Sequence, residues 1–518
     1  MRSRPFYRFV ALLLIFLLGW GGVSWPAKAL TETATAQISA PGQSIQPYLD
    51  RVIQRVTEFR LENGMKFIVL ERHEAPVVSF LTYADVGGVD EPDGKTGVAH
   101  FLEHMAFKGT SQIGTVNHAR EKELLNQLDA LAEQIKTAQK KGQTATVEKL
   151  TAQFTQLETE AMALVRQNEF GRIVEQAGGV GLNANTSAEA TRYFYSFPSN
   201  KLELWMSLES ERFLDPVFRE FFKEQQVILE ERRLRTDNSP IGQLIEAYLD
   251  KAFQVHPYRR PVIGYDEDIR NLTRQDIQDF FDSHYIPSKL TVAIVGDADP
   301  QEVQRLAQIY FGRYRARPAP KENIPIEPPQ AAPREVTLTL RSQPWYLEGY
   351  HRPAVTHPDN VVYDMIASIL SDGRTSRLYR SLVEEQKVAL TAQGFTGFPG
   401  NKYPNLILFY GLTAPGRSVE ELGKALNAEI ERLKTEPVST QELERVKNQA
   451  RASLLQSLKS NMGMAQALLE YEIKTGSWRN LFKEIEQIEA VTAADIQRVA
   501  RATFVPSNRT IGRLLPQE

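Results

Sequence analysis

Leu272-Thr273-Arg274-Gln275-Asp276-Ile277-Gln278 is followed by Tyr285-Ile286-Pro287-Ser288 and an apolar run from Thr291. The same pattern returns 219 residues later as Val491-Thr492-Ala493-Ala494-Asp495-Ile496-Gln497, then Phe504-Val505-Pro506-Ser507 and a run from Thr510. A single offset over that length reads as an internal duplication. It predicts an α+β chain of two domains of one fold, each closing on a helix followed by a strand.

The bulk properties agree. At 518 residues the chain is too long for one compact core. Hydrophobic residues make up 42% and charged residues 24%, as in ordinary folded domains. Net charge is −3, so no basic excess points to nucleic acid. There is no cysteine. Disulfides, cysteine nucleophiles, iron–sulfur clusters and Cys-type zinc sites are therefore excluded, and any metal must be held by His, Asp or Glu.

Pro318, Pro320, Pro325, Pro328, Pro329 and Pro333 mark 313–335 as a semi-rigid linker between a first domain, 51–312, and a second, 336–518. Residues 30–50 are polar and read as a linker. Within the first domain, 118–168 stands apart. Leu124, Leu128, Leu131, Ile135 and Ala138 recur at spacings of four and three, and so do Val147, Leu150, Phe154, Leu157, Ala161 and Leu164 beyond Lys141-Gly142. This predicts an inserted antiparallel helical hairpin with a coiled-coil-like seam. Residues 1–29 read as an export signal: Arg2, Arg4 and Arg8, an apolar run from Phe9 to Trp20, then Ala27-Lys28-Ala29. The expectation is an exported, periplasmic or extracytoplasmic protein. An uncleaved membrane anchor over residues 9–25 is the other reading.

The chemistry concentrates at His100-Phe101-Leu102-Glu103-His104. On a helix running from about Gly97 to Gly109, with about 100° per residue, His104 falls about 40° from His100 and Glu103 about 60° to the other side. Val98, Leu102 and Met105 cluster opposite. One face packs inward, and the other presents two imidazoles and a carboxylate. Two nitrogen ligands with an open position suit Zn2+, and Glu103 is placed as general base toward a zinc-activated water.

The surrounding Gly97-Val98-Ala99-His100-Phe101-Leu102-Glu103-His104-Met105-Ala106-Phe107-Lys108-Gly109-Thr110 resembles the signature of the inverted-zincin peptidases, the pitrilysin/insulinase or M16 family. It is most similar to short two-domain members related to mitochondrial processing peptidase. The likeness covers most of 51–518 and implies duplicated M16 (LuxS/MPP-like) domains. It implies zinc-dependent endopeptidase activity on extended peptides. It also implies a downstream Glu as third metal ligand. Glu224-x-x-Val227-Ile228-x-Glu230-Glu231 matches that segment, giving Glu231 as ligand and Glu224 as a supporting carboxylate. The two stand two helical turns apart and share a face with Val227 and Ile228, while Glu230 falls about 100° off it. Gly181-Leu182-Asn183-Ala184-Asn185-Thr186-Ser187 resembles the strand that lines the cleft, with Asn183 and Ala184 closest to a peptide substrate.

There is one departure. Active family members carry an Arg and a Tyr seven residues apart in the second-type domain. The matching positions here are Val383 and Leu390. The resemblance therefore implies a heterodimer with a zinc-free homologue that supplies the pair. The alternative function is a non-catalytic assembly subunit of an M16-type complex, and a simple zinc carrier is a third.

Overall fold

The computed structural model describes residues 46–320 and 323–517; the expected export signal, and with it the anchor reading, lies outside them. No helix among the described residues is long and apolar enough to cross a membrane. The expected linker 30–50 needs correction at its end, because a helix spans Gln46–Gln54. Leu49 and Val52, three residues apart, are buried against Trp478 and its neighbours, and that docking orders the segment.

The first domain is built on a six-stranded sheet: β1 (Val56–Arg60), β2 (Lys66–Glu71), β3 (Val77–Ala84), β4 (Val180–Thr186), β5 (Thr191–Pro198) and β6 (Leu290–Gly296), in the order β1-β2-β6-β3-β5-β4. The second holds β7 (Arg334–Leu340), β8 (Trp345–Arg352), β9 (Ala389–Phe398), β10 (Asn405–Thr413) and β11 (Arg509–Pro516), in the order β7-β11-β8-β10-β9. Apart from β1 the two orders are equivalent. Each has one parallel pair, β2 with β6 and β7 with β11, and its other pairs are antiparallel. The repeated sequence segments become the helices Arg274–His284 and Ala493–Thr503, each leading into the last strand of its sheet. Both open on the same reciprocal cap: Thr273 with Asp276, and Thr492 with Asp495, the Thr hydroxyl accepting the Asp N–H at 3.1 Å in each. The duplication is thus a property of the fold.

Four further helices position the site: α1 (Val98–Met105), α2 (His118–Lys140), α3 (Thr144–Met162) and α4 (Phe221–Arg232). Helices α2 and α3 form the inserted hairpin, closed at its base by Val116 N–H donating to the Leu164 carbonyl at 2.9 Å. Leu124, Leu128 and Ala161 fill its seam with Phe154, Leu157 and Leu164. Helix α1 and its neighbours cover one face of the first sheet, over Phe67, Val69, Val78 and Phe80.

The opposite faces are covered by exchange between domains. The helix α5 (Pro240–Ala252) leaves the first domain and lays Leu244, Tyr248 and Leu249 on Leu347, Leu408 and Leu514 of the second sheet. The helix α6 (Asn461–Thr475) of the second domain lays Met464, Leu468 and Leu469 on Ile68, Leu70, Leu81 and Val295 of the first. Both faces of each sheet are covered, and the central strand β6 is buried at every residue. Charge ties the same seam. Lys474 of α6 lies 2.9 Å from Glu189 and 2.8 Å from Glu470, and Glu470 also pairs with Arg192 of β5. The Pro-rich connection is held down too, since Glu327 accepts the backbone N–H groups of Gln254, Val255 and His256 at 2.8–3.0 Å.

Candidate active site

Helix α1 is shorter than its sequence pattern suggests. It ends at Met105, and the chain turns through Ala106 to Gly109. Its start is tightly built. Gly97 caps it at φ +87°, where a Cβ would stand 2.6 Å from the Ile263 carbonyl oxygen, so both the conformation and the space call for glycine. The Glu91 carboxylate accepts the N–H groups of Gly97 and Ala99, each at 3.0 Å, and satisfies the helix end. Val98, Phe101, Leu102 and Met105 are sealed in the core. The polar face is thereby turned toward α4.

His100, His104 and Glu231 converge there. His100 Nε2 lies 3.8 Å from Glu231 Oε1 and His104 Nε2 3.5 Å from Glu231 Oε2. One ligand atom from each falls within 4.8 Å of the others. Zinc with legs of about 2.0–2.1 Å to tetrahedral ligands sets them about 3.3 Å apart. The observed spacing is close to that, and two imidazoles with one carboxylate suit zinc chemically. His104 Nδ1 bonds to Glu224 Oε1 at 2.8 Å, and Glu224 Oε2 takes Lys108 Nζ at 2.6 Å. A carboxylate on Nδ1 orients the ring and leaves Nε2 for a metal. His100 Nδ1 is buried and has no hydrogen-bond partner among the described residues. The residues fit the ion.

The electrostatics favour a cation. Burial opposes charge on both carboxylates of α4. His104 and Lys108 nevertheless hold Glu224 at about 2, and His104, His100 and Arg235 hold Glu231 at about 2. Burial also opposes charge on His104, but Glu224 and Glu231 outweigh it and raise that ring to about 9. Burial, then the neighbouring His104, presses His100 down to about 3. Two ionised carboxylates thus draw a proton onto one ring of the pair, a charge that a divalent ion would displace.

Glu103 is buried on the same helix. Burial raises its pKa against the pull of Thr186, whose hydroxyl donates to Glu103 Oε2 at 2.7 Å. Thr186 ends β4, the outermost strand of its sheet. Its neighbour Thr191 donates its own hydroxyl to the Val86 carbonyl at 3.0 Å, so the Thr186 proton is left to Glu103.

Of the residues expected from sequence, His100, Glu103, His104, Glu224 and Glu231 are brought together. Glu230 points away and pairs with Arg233. Ile228 is buried as expected; Val227 is not, being 45% exposed, because only part of that face meets the core. Asn183 and Ala184 lie on the edge strand β4, Asn183 exposed and Ala184 buried. Val383 packs against the second domain's core, and Leu390 lies on β9 against the apolar layer beneath α5. Sequence reasoning missed Thr186, Lys108 and Arg235. Lys108 is one turn beyond His104, a spacing that could have found it. Thr186 is 83 residues from Glu103, with no periodicity to join them.

This arrangement defines a class: two-domain α+β proteins with an HxxEH helix facing a Glu-bearing helix. Comparison with known proteins gives the family. The insulinase (peptidase family M16) model matches residues 67–126, and the model described as peptidase M16 inactive domain matches 271–450. The chain thus carries M16 family domains. It is 28% identical over 466 residues to "Zinc protease PqqE" of Helicobacter pylori, covering 88% of this chain and 92% of that protein. It is 23% identical over 472 residues to the probable mitochondrial-processing peptidase subunit beta of Arabidopsis thaliana, covering 88% and 77%. The crystal structure of a protease from Helicobacter pylori superposes with a TM-score of 0.75 at 27% identity, over 89% of this chain and 99% of that one.

Proposed function

We propose that this chain is a zinc metalloendopeptidase that hydrolyses extended peptides. The observation that carries the reading is the convergence of His100, His104 and Glu231 beside a buried carboxylate, Glu103. The three would hold the ion. Zinc, when bound there, supplies a Lewis acid that polarises a carbonyl and makes water more acidic. Glu103 takes the proton from the attacking water and hands it to the departing amine. Thr186 holds one oxygen of Glu103, leaving the other for the proton. Lys108 and Glu224 hold His104 in orientation. A peptide adds to the free edge of β4 beside Asn183 and Ala184 by main-chain hydrogen bonds.

The model named inactive matches 271–450, a stretch without the motif, and His100, Glu103, His104 and Glu231 all precede it. That weighs against a purely structural subunit. The export pattern of residues 1–29 supports action outside the cytoplasm. A second element of the reading is a partner. Val383 and Leu390 offer no polar group to a substrate, which supports pairing with a zinc-free M16-type chain that does.

Metal analysis with peptide hydrolysis tests this. The expected result is one zinc per chain, activity lost on chelation and restored by zinc, and higher activity with a co-purified partner than for the chain alone. Full activity after zinc removal would refute the reading; full activity alone, with no gain from a partner, would refute the pairing.

Thr186 has its own expected signature. Thr186→Val, equal in shape but without the hydroxyl, should lower kcat on the order of tenfold to a hundredfold, because a loosened base misplaces the proton transfer. KM and zinc content should be unchanged, and Thr186→Ser should restore kcat. Steady-state kinetics on the three forms check it.

A further inference from the structure

Arg235 stands one turn beyond Glu231, in the π-helical turn Arg233–Asp237 that extends α4. Such turns recur at functional sites. Its Nη1 lies 2.9 Å from Glu231 Oε1, yet the side chain is 45% exposed. Its other guanidinium nitrogens make no hydrogen bond to any described residue. The contrast is Lys108, 19% exposed and spent on Glu224 at 2.6 Å and Glu220 at 3.6 Å. The Arg235 backbone is held in place. Helix α5 starts directly over it, and a Cβ on Gly242 would meet the Arg235 carbonyl oxygen at 2.2 Å, so only glycine permits that approach. Gln243 Nε2 bonds the Asp237 carbonyl at 2.6 Å and closes the other end of the turn. A permanently charged fork is therefore anchored through one nitrogen at the Glu231 carboxylate, with its remaining donors exposed beside it. Its charge also reaches His100 and Glu103.

We propose that Arg235 is a catalytic residue that binds the carbonyl oxygen of the peptide bond being cut and stabilises the negative charge that develops on it. The proposal rests on the peptidase reading above. Water adds to the carbonyl carbon, its proton passes to Glu103, and the C=O electron pair moves onto oxygen, which gains one negative charge. When the C–N bond breaks, the C=O re-forms and the amine leaves with the proton from Glu103. Only the middle of this sequence carries the oxyanion, so a donor aimed there acts on kcat. Glu231 sets the direction of the fork, and exposure lets a substrate reach it.

The test compares Arg235→Gln and Arg235→Lys with the wild type in the full zinc-loaded chain, with its partner where one co-purifies. Arg235→Gln should lower kcat by about 100-fold or more. It should weaken binding of a phosphinic peptide, which carries a charged oxygen in place of the carbonyl, on the same order, while binding of the corresponding uncleaved peptide to the Glu103→Gln protein changes little. Arg235→Lys should recover part of both. Zinc affinity, measured by chelator competition, should stay constant. Wild-type kcat and phosphinic-peptide affinity in Arg235→Gln would overturn the proposal. So would a fall in zinc affinity that accounts for the lost activity, since Arg235 would then act only through Glu231. A wild type that binds no zinc and cleaves nothing would overturn the peptidase reading, and this proposal with it, a result distinct from an active wild type indifferent to Arg235.

Discussion

Glu103→Gln should bind zinc as well as the wild type and hydrolyse peptides about 10²- to 10⁴-fold more slowly, the span that a positioned general base supplies. The substitution changes little else. Glutamine has the same length and planar end, and its amide oxygen can still accept the Thr186 hydroxyl that now lies 2.7 Å from Glu103 Oε2. His100, His104 and Glu231 keep their places, because α1 is fixed by its buried back and by the Glu91 cap. What is lost is a basic oxygen that can take a proton and return it. Zinc content and kcat measured on one preparation separate the possibilities. Zinc bound with activity unchanged would sink the mechanism. A zinc carrier requires no role for Glu103 at all.

Arg219→Met should cost about 3–5 kcal/mol of stability, the range for leaving a buried charge without its partner. Arg219 precedes α4, and its side chain is 1% exposed, as is that of Glu121. Its Nε and Nη2 bind the two Glu121 oxygens at 2.8 and 3.2 Å. Nη2 also donates to the Thr110 carbonyl at 2.6 Å, and Nη1 donates to the carbonyls of Ile113, at 3.0 Å, and Lys108. All the donors of the guanidinium are thus engaged. One residue joins the segment leaving α1, the first turn of α2 and the start of α4, which are the base of the inserted hairpin and both sides of the candidate site. Methionine would leave the Glu121 carboxylate in a closed space without its guanidinium, and the carbonyls of Lys108, Thr110 and Ile113 each short of one donor. The double variant Glu121→Leu with Arg219→Met removes the stranded charge and should be less destabilised than Arg219→Met alone. Thermal and denaturant unfolding of the set check this; a single variant within about 0.5 kcal/mol of wild type, as for an ordinary surface change, would refute it.

Much of the site was legible because its parts are local. His100, Glu103 and His104 lie within five residues, and helical geometry alone puts them on one side. Glu224 and Glu231 repeat over two turns of a second helix. Glu231 rather than Glu230 comes from the family likeness of that segment together with the same angle, and the structure turns Glu230 out to Arg233. Val227 was misjudged because a helix period tells which residues share a face but not how far the neighbouring core extends under it. The helix Gln46–Gln54 escapes sequence reading for a related reason: a short polar stretch with Leu49 and Val52 becomes a helix only when a surface is there to receive them.

The amino-acid order by itself determined the two-domain plan, through one offset of 219 residues, and the grouping of His100, His104 and Glu231, through helical spacing and a family likeness. Tertiary structure alone decided what those parts meet. It placed Thr186 on Glu103, anchored Arg235 at Glu231, and sent α5 and α6 across to cover each other's sheets. The physical reason is range. Periodicity reports contacts within a helix or strand, whereas a hydrogen bond between residues 83 apart, or an apolar face shared between domains, depends on which surfaces have no other cover once both sheets have formed.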